Sequence, residues 1–275
     1  MKLEPAYQFA AQDLCAIFND AFAGYVGGEI HLDSEKFQAF CSSQGVNLTL
    51  SRVLVVNSES VGIALIARRG WTSRLVAMGI RTAHKHKGLG FQVMRVLLAE
   101  AKERQDHFYE LEVIEQNPAA VKLYQKSGFY RQRRLLEGSF QHSSEELPSG
   151  RLEAIDIAEL SRELVSFDQG LPWQISGFNL VTLGEPNRAY RFDHALAIIS
   201  SPELMTVRLH FFGVKPDYRH QSQGKRLWQA LLAMHPGKLW TFPALCPEEA
   251  FEFFENQGFE RGKLSQFQMR CDLKG

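Results

Sequence analysis

The chain has 275 residues, 45% of them apolar, and its 31 basic and 31 acidic side chains cancel. That balance excludes recruitment of nucleic acid or an anionic membrane by an overall field, so any positive patch must be local. The length supports two modest cores, and no apolar run reaches the roughly 20 residues that a membrane span requires.

In chain order, the opening predicts a short strand around Tyr7 to Phe9 and then a helix from Gln12 to Phe22, striped by Leu14, Ile17, Phe18 and Phe22. Glycines between Gly24 and Ile30 break the pattern, and Asp33 can cap a second helix carrying Phe37, Phe40 and Cys41. Strands are expected over Arg52 to Asn57, Val61 to Arg69 and Arg74 to Ile80, with turn signals at Asn57-Ser58 and Arg69-Gly70. They read as an antiparallel meander.

The last of these strands runs into Lys85-His86-Lys87-Gly88-Leu89-Gly90, and beyond it Val93, Val96, Leu97 and Ala101 recur at helical spacing. The loop's amides therefore stand at a helix N-terminus with positive partial charge, which suits a pyrophosphate. Gly88 and Gly90 would let backbone approach the phosphates, while Lys85 and Lys87 add charge. A strand over Phe108 to Ile114, a helix over Pro118 to Ser127 and a strand over Phe129 to Leu136 complete residues 1–140.

Residues 141–150 are polar and read as a linker. In residues 151–275 the pattern predicts a helix from Ala154 to Phe167, strands from Tyr190 to Ile199 and Met205 to Val214, and a strand from Lys238 to Phe242. A helix from Glu248 to Gln257 and a strand from Gln266 to Leu273 follow. This half repeats the first. Gly213 to Gly224 mirrors the earlier loop, and Gly258-Phe259 mirrors Gly128-Phe129 at the end of a short helical run. The four cysteines form no CxxC or Cys/His pattern of metal-ligand spacing, so no metal is expected, and with no signal peptide apparent at the N-terminus a reducing cytoplasm fits best.

On these residues each half resembles the GNAT superfamily of acyl-CoA-dependent N-acyltransferases, and the whole resembles a tandem GNAT protein. The superfamily's loop pattern is Arg or Gln, two residues, Gly, one residue, Gly or Ala; Lys85, Gly88 and Gly90 follow it with Lys in the first place. Its later motif, an Asn at a strand end and a Tyr before Gly-Phe, is met by Asn117, Tyr124, Gly128 and Phe129. The resemblance implies an α/β (α+β) fold: two tandem domains, each a mixed, largely antiparallel sheet flanked by helices, splayed between its fourth and fifth strands to receive the cofactor's pantetheine arm. The second copy departs from the pattern, with Ser222 for the middle Gly, Pro247 opposite Asn117 and Phe254 opposite Tyr124. Chemistry is therefore expected in the first copy, with the second degenerate.

The activity implied is transfer of an acetyl group from acetyl-CoA to a primary amine of a small molecule or peptide by direct attack. The pyrophosphate falls to Lys85, His86, Lys87, Gly88, Leu89 and Gly90, and the carbonyl to a backbone N–H near Met78, Gly79 and Ile80. Tyr124 is the candidate acid for the departing thiolate, with a core tyrosine as the alternative. Asn117 would bind the cofactor arm or cap the helix that Pro118 opens. Glu112 shares a strand face with Glu110 and is the candidate base, a solvated strand face being the other reading. Glu29, His31 and Trp71 are candidates to wall the acceptor site. A non-catalytic acyl-CoA sensor and a transferase for a longer acyl group are the competing readings, and either a monomer or a homodimer fits.

Overall fold

The computed structural model describes residues 1–143, 152–167 and 170–274. In chain order the first elements are β1 (Lys2–Pro5), α1 (Ala11–Ala21), α2 (Ser34–Ser43), β2 (Arg52–Val56), β3 (Glu59–Arg69) and β4 (Thr72–Ile80). Next come α3 (Leu89–Glu103), β5 (Phe108–Ile114), α4 (Pro118–Lys126) and β6 (Tyr130–Gln141). The second half holds β7 (Glu153–Ile155), α5 (Ile157–Val165), α6 (Gly177–Leu180), β8 (Arg188–Phe192), β9 (Ala195–Ile199), β10 (Thr206–Val214), α7 (Gln223–Met234), β11 (Leu239–Pro247), α8 (Glu248–Glu255) and β12 (Glu260–Asp272).

The chain divides into two compact units, Met1–Arg134 with Gln266–Gly275, and Leu135–Ser265. In the first, β1 to β4 form an antiparallel meander, β5 runs parallel to β4, and residues 266–272 of β12 lie antiparallel along β5 from Gln266 opposite Ile114 to Asp272 opposite Phe108. Alternation along β3 sends Ile63 and Leu65 to a core with Phe18 and Phe37 of α1 and α2, and Ala64 and Ile66 to a core with Val93, Leu97 and Val121 of α3 and α4. The sheet is thus covered on both faces.

The second unit is built alike. Strands β7 to β10 are antiparallel, β11 is parallel to β10, and residues 135–141 of β6 pair with β11. Leu160, Leu164 and Leu180 of α5 and α6 cover one face, and Leu227, Trp228, Phe251 and Phe254 of α7 and α8 the other.

Four expectations are corrected. Tyr7 lies in a 3₁₀ turn after β1, because the extended residues are 2–5. Asp156 caps α5 by accepting from the backbone N–H groups of Ala158 and Glu159, which leaves residues 153–155 as a strand. The run from Tyr190 to Ile199 is a hairpin turned at Asp193, whose φ is +50°. The compact units change over at Arg134 and Leu135 and again at Ser265 and Gln266, so residues 135–140 group with the second unit and residues 266–274 with the first. Of the expected linker, residues 144–150 lie outside the described residues.

Candidate active site

In the first unit the β4–β5 ladder spans only Thr72 to Leu75 against Phe108 to Leu111, and beyond it the strands part. The register of β4 on β3 slips between Leu65 opposite Ala77 and Ile66 opposite Leu75, so Val76 is the extra residue of a bulge at the apex of the gap. Met78, Gly79 and Ile80 remain paired to β3, opposite Ala64, Ile63 and Gly62, while their other edge faces the gap. The second unit repeats this with Thr206 to Arg208 against Leu239 to Thr241 and the bulge at His210.

Beyond Ile80 the chain makes a 3₁₀ turn over Thr82–His84 and enters α3 through two left-handed residues, His86 (φ +63°) and Gly88 (φ +74°). A Cβ on Gly88 would have nothing within 4 Å, so the loop is open in front of it. The first intrahelical bond runs from the Gln92 N–H to the Gly88 carbonyl at 3.3 Å, leaving the amides of Leu89, Gly90 and Phe91 outside the helical ladder. Gly90 does a different job: a Cβ there would lie 3.1 Å from Leu123 Cδ2, so its bareness seats α3 against α4. Arg81 and His84 face the carboxylate of Glu59, whereas Lys85 and Lys87 form no ion pair among the described residues. The cradle thus offers amides, a close backbone approach and two available cations, a donor set that fits a pyrophosphate.

Tyr124 of α4 is 7% exposed, its ring set edge-on to Phe129 at 6.0 Å, and its hydroxyl makes no hydrogen bond among the described residues. Burial pushes the phenol's pKa well above its ordinary range, with a further contribution from Tyr25, so the group is a neutral donor. Asn117 caps α4, its Oδ1 accepting from the Ala120 N–H at 3.2 Å, which leaves its amide nitrogen to donate elsewhere.

The carboxylates of this region are committed to arginines. Glu112 Oε2 accepts from Arg74 at 2.6 and 2.9 Å, the two side chains being 3% and 2% exposed. Glu110 accepts from Arg270 at 2.6 Å and Glu115 from Arg134 at 2.6 Å. Glu112, the candidate base of the sequence, is thus the buried ion-pair partner of Arg74. Glu29 and His31 are exposed in the segment between α1 and α2. Trp71 stacks on His107 at 5.5 Å at the start of β4, the end away from the cradle. The length of β4, roughly 30 Å at the usual strand rise, separates it from that loop.

Tyr25, in the glycine-broken segment that follows α1, is set edge-on to Phe22 at 5.3 Å, a placement no sequence period announces.

In the second unit the loop keeps its shape, with His220 at φ +59° and Ser222 at +60° before α7. Its cations are engaged: Lys215 pairs with Glu163, and Arg219 Nε donates to the Val214 carbonyl at 3.2 Å. Rings of Phe212, Phe253 and Phe254 pack at centroid distances of 5.2 to 5.6 Å.

Residues 11–129 match the Acetyltransferase (GNAT) family. The chain carries a GNAT domain and has the tandem GNAT fold. It is similar to a tandem GNAT protein from the clavulanic acid biosynthesis pathway at 13% identity, covering 97% of this chain and 98% of that one with a TM-score of 0.64. It is also similar to GCN5-related N-acetyltransferases from Anabaena variabilis (15% identity, 99% and 73% covered, TM-score 0.68) and Sphaerobacter thermophilus (10%, 96% and 93%, 0.64). No curated protein matches the chain in sequence.

Proposed function

We propose that the protein is an N-acetyltransferase that uses acetyl-CoA to acetylate a primary amine of a small molecule or peptide, with the first unit catalytic and the second degenerate. The observation that carries this reading is Tyr124, a neutral phenol on a largely buried ring whose hydroxyl makes no hydrogen bond among the described residues, one helix away from an open, cationic loop before α3. Such a hydroxyl is available to donate to a bound group. In this reading the amides before Gln92, with Lys85 and Lys87, hold the pyrophosphate. The gap-facing edge of Val76 to Ile80 supplies N–H groups to the carbonyl oxygen, where a fixed donor stabilises developing negative charge. Asn117 donates its amide to the pantetheine arm, and Tyr124 protonates sulfur.

Calorimetric titration of acetyl-CoA into the wild type, Gly88→Asp and Ser222→Asp tests the assignment. One site per chain, lost only in Gly88→Asp, is expected; no binding to the wild type overturns the reading. Thiol release with a panel of amines then separates a transferase from a sensor.

A further inference from the structure

Phe91 belongs to the loop before α3 through its backbone and to a second surface through its ring. Its amide is one of those left outside the helical ladder at the start of α3. Its ring lies under the ammonium of Lys126 at the end of α4, with Nζ 4.8 Å from the ring centroid. A Cβ on Gly90 would lie 3.1 Å from Leu123 Cδ2, so the two helices meet at successive residues, Gly90 on Leu123 and Phe91 under Lys126. A cation held over a ring has already given up part of its side-chain freedom, which lowers the cost of presenting it to an anion. Arg95 stands one turn after Phe91 on α3, and Lys122 one turn before Lys126 on α4, each on the same helix face as its neighbour.

Charge sets this surface apart. Residues 81–99 and 116–136 contain no Asp or Glu, in a chain whose acidic and basic side chains are equal in number. Arg95, Lys122 and Lys126 are exposed, and like Lys85 and Lys87 they form no ion pair among the described residues. The corresponding helix of the second unit has the opposite sign. Six and two residues before Gly128 stand Lys122 and Lys126, whereas six and two before Gly258 stand Glu252 and Asn256. Helix α4 carries two lysines and no acid; α8 carries Glu248, Glu249, Glu252 and Glu255 and no base. Like-charged side chains gathered without partners repel one another, and a bound anion removes that repulsion.

We infer that Lys126 and Arg95 bind the 3′-phosphate of the coenzyme's adenosine, so that the first unit takes acetyl-CoA in preference to its 3′-dephospho form. The inference rests on the acetyl-CoA reading above. In that reading the amides of Leu89 to Phe91 hold the pyrophosphate. The 3′-phosphate is carried on the same ribose whose 5′ carbon bears the pyrophosphate, which brings it within one sugar of the Phe91 amide and so to the side of Phe91 where Lys126 lies. A phosphate monoester carries close to two negative charges at neutral pH and accepts charge-assisted hydrogen bonds from an ammonium and a guanidinium. Lys122 adds to the field without being needed for contact.

The test is calorimetric titration of acetyl-CoA and of 3′-dephospho-acetyl-CoA into the wild type and into the double variant Arg95→Met, Lys126→Met, whose altered side chains are both exposed. The wild type is expected to bind acetyl-CoA about 30-fold more tightly than the dephospho form. The double variant is expected to bind both forms with the affinity that the wild type shows for the dephospho form. Equal binding of the two forms by the wild type overturns the inference, as does a double variant that keeps the preference. A double variant weakened equally toward both forms overturns it too, since the two cations would then serve the pyrophosphate. Failure of the wild type to bind either form overturns the acetyl-CoA reading itself, and the inference with it.

Discussion

The two units open the same gap between a bulged strand and its parallel neighbour, and they fill it differently. In the first, Tyr124 of α4 is set edge-on to Phe129 and Leu123 lies against Gly90; in the second, Phe254 and Phe253 of α8 close on Phe212 and on Phe242, at 4.8 Å from Phe254. The backbone is conserved to the left-handed residues of the loop, at Gly88 and Ser222 alike. A fold can therefore keep its binding geometry while its side chains convert the opening into core. What distinguishes the units is polar chemistry at a handful of positions.

The largest expected effect concerns the apex of the first gap. Arg74 is buried with Glu112, while Arg208, at the same place in β10, is exposed. Arg74→Met should cost about 3–5 kcal/mol in urea unfolding, because it strands a buried carboxylate, and Arg208→Met should cost under about 0.5 kcal/mol. Equal losses would mean that the pair at the apex is not what holds the first gap. Next, Tyr124→Phe should lower turnover about 100-fold with acetyl-CoA affinity unchanged, as measured by thiol release and calorimetry. Phe254→Tyr should add no second site, since Phe212 and Phe253 still occupy the gap.

The bulge residues sharpen the contrast further. His210 bonds Asn187 at 3.1 Å, and its pKa is pulled down from 6.5 to about 4, first by burial and then by Arg208. The unfolded chain binds a proton near 6.5 that the native state refuses until about 4, so stability should fall between those pH values and level off below. The loss is about 3 kcal/mol, and thermal unfolding should show a correspondingly larger fall in the wild type than in His210→Gln. Smallest is the loop exchange: Ser222→Gly should stabilise by up to about 1 kcal/mol by relieving a left-handed serine, without creating a second acetyl-CoA site.

The elements of the first unit were legible because their signals are local. Asp33 before Phe37 and Phe40, Pro118 after Asn117, and Gly88 ahead of Val93 and Leu97 each act within one turn of chain. The glycine-bearing loop ahead of α3 was legible for the same reason. Partners across long separations were not: the pattern of residues 266–273 announces a strand but carries no address, and its place along β5 emerges only in three dimensions. A strand or a turn shows which residues share a face, not which partner lies opposite, so the pairing of Glu112 with Arg74 and the stacking of Trp71 on His107 emerge only in three dimensions. Tyr25 left no trace, since a loop has no period.

That long separation bears on how the protein is made. Glu110 of β5 meets Arg270 across 160 residues, so during synthesis the edge of β5 waits for its neighbour until nearly the whole chain has been translated. At about 5–20 residues per second the wait lasts on the order of 10–30 s. Through that interval a nascent chain carries an unpaired strand edge in its incomplete first unit, the kind of edge that recruits other strands. Chaperone capture during translation, and early ribosomal termination that yields products unable to close their first sheet, are the hazards this connectivity brings.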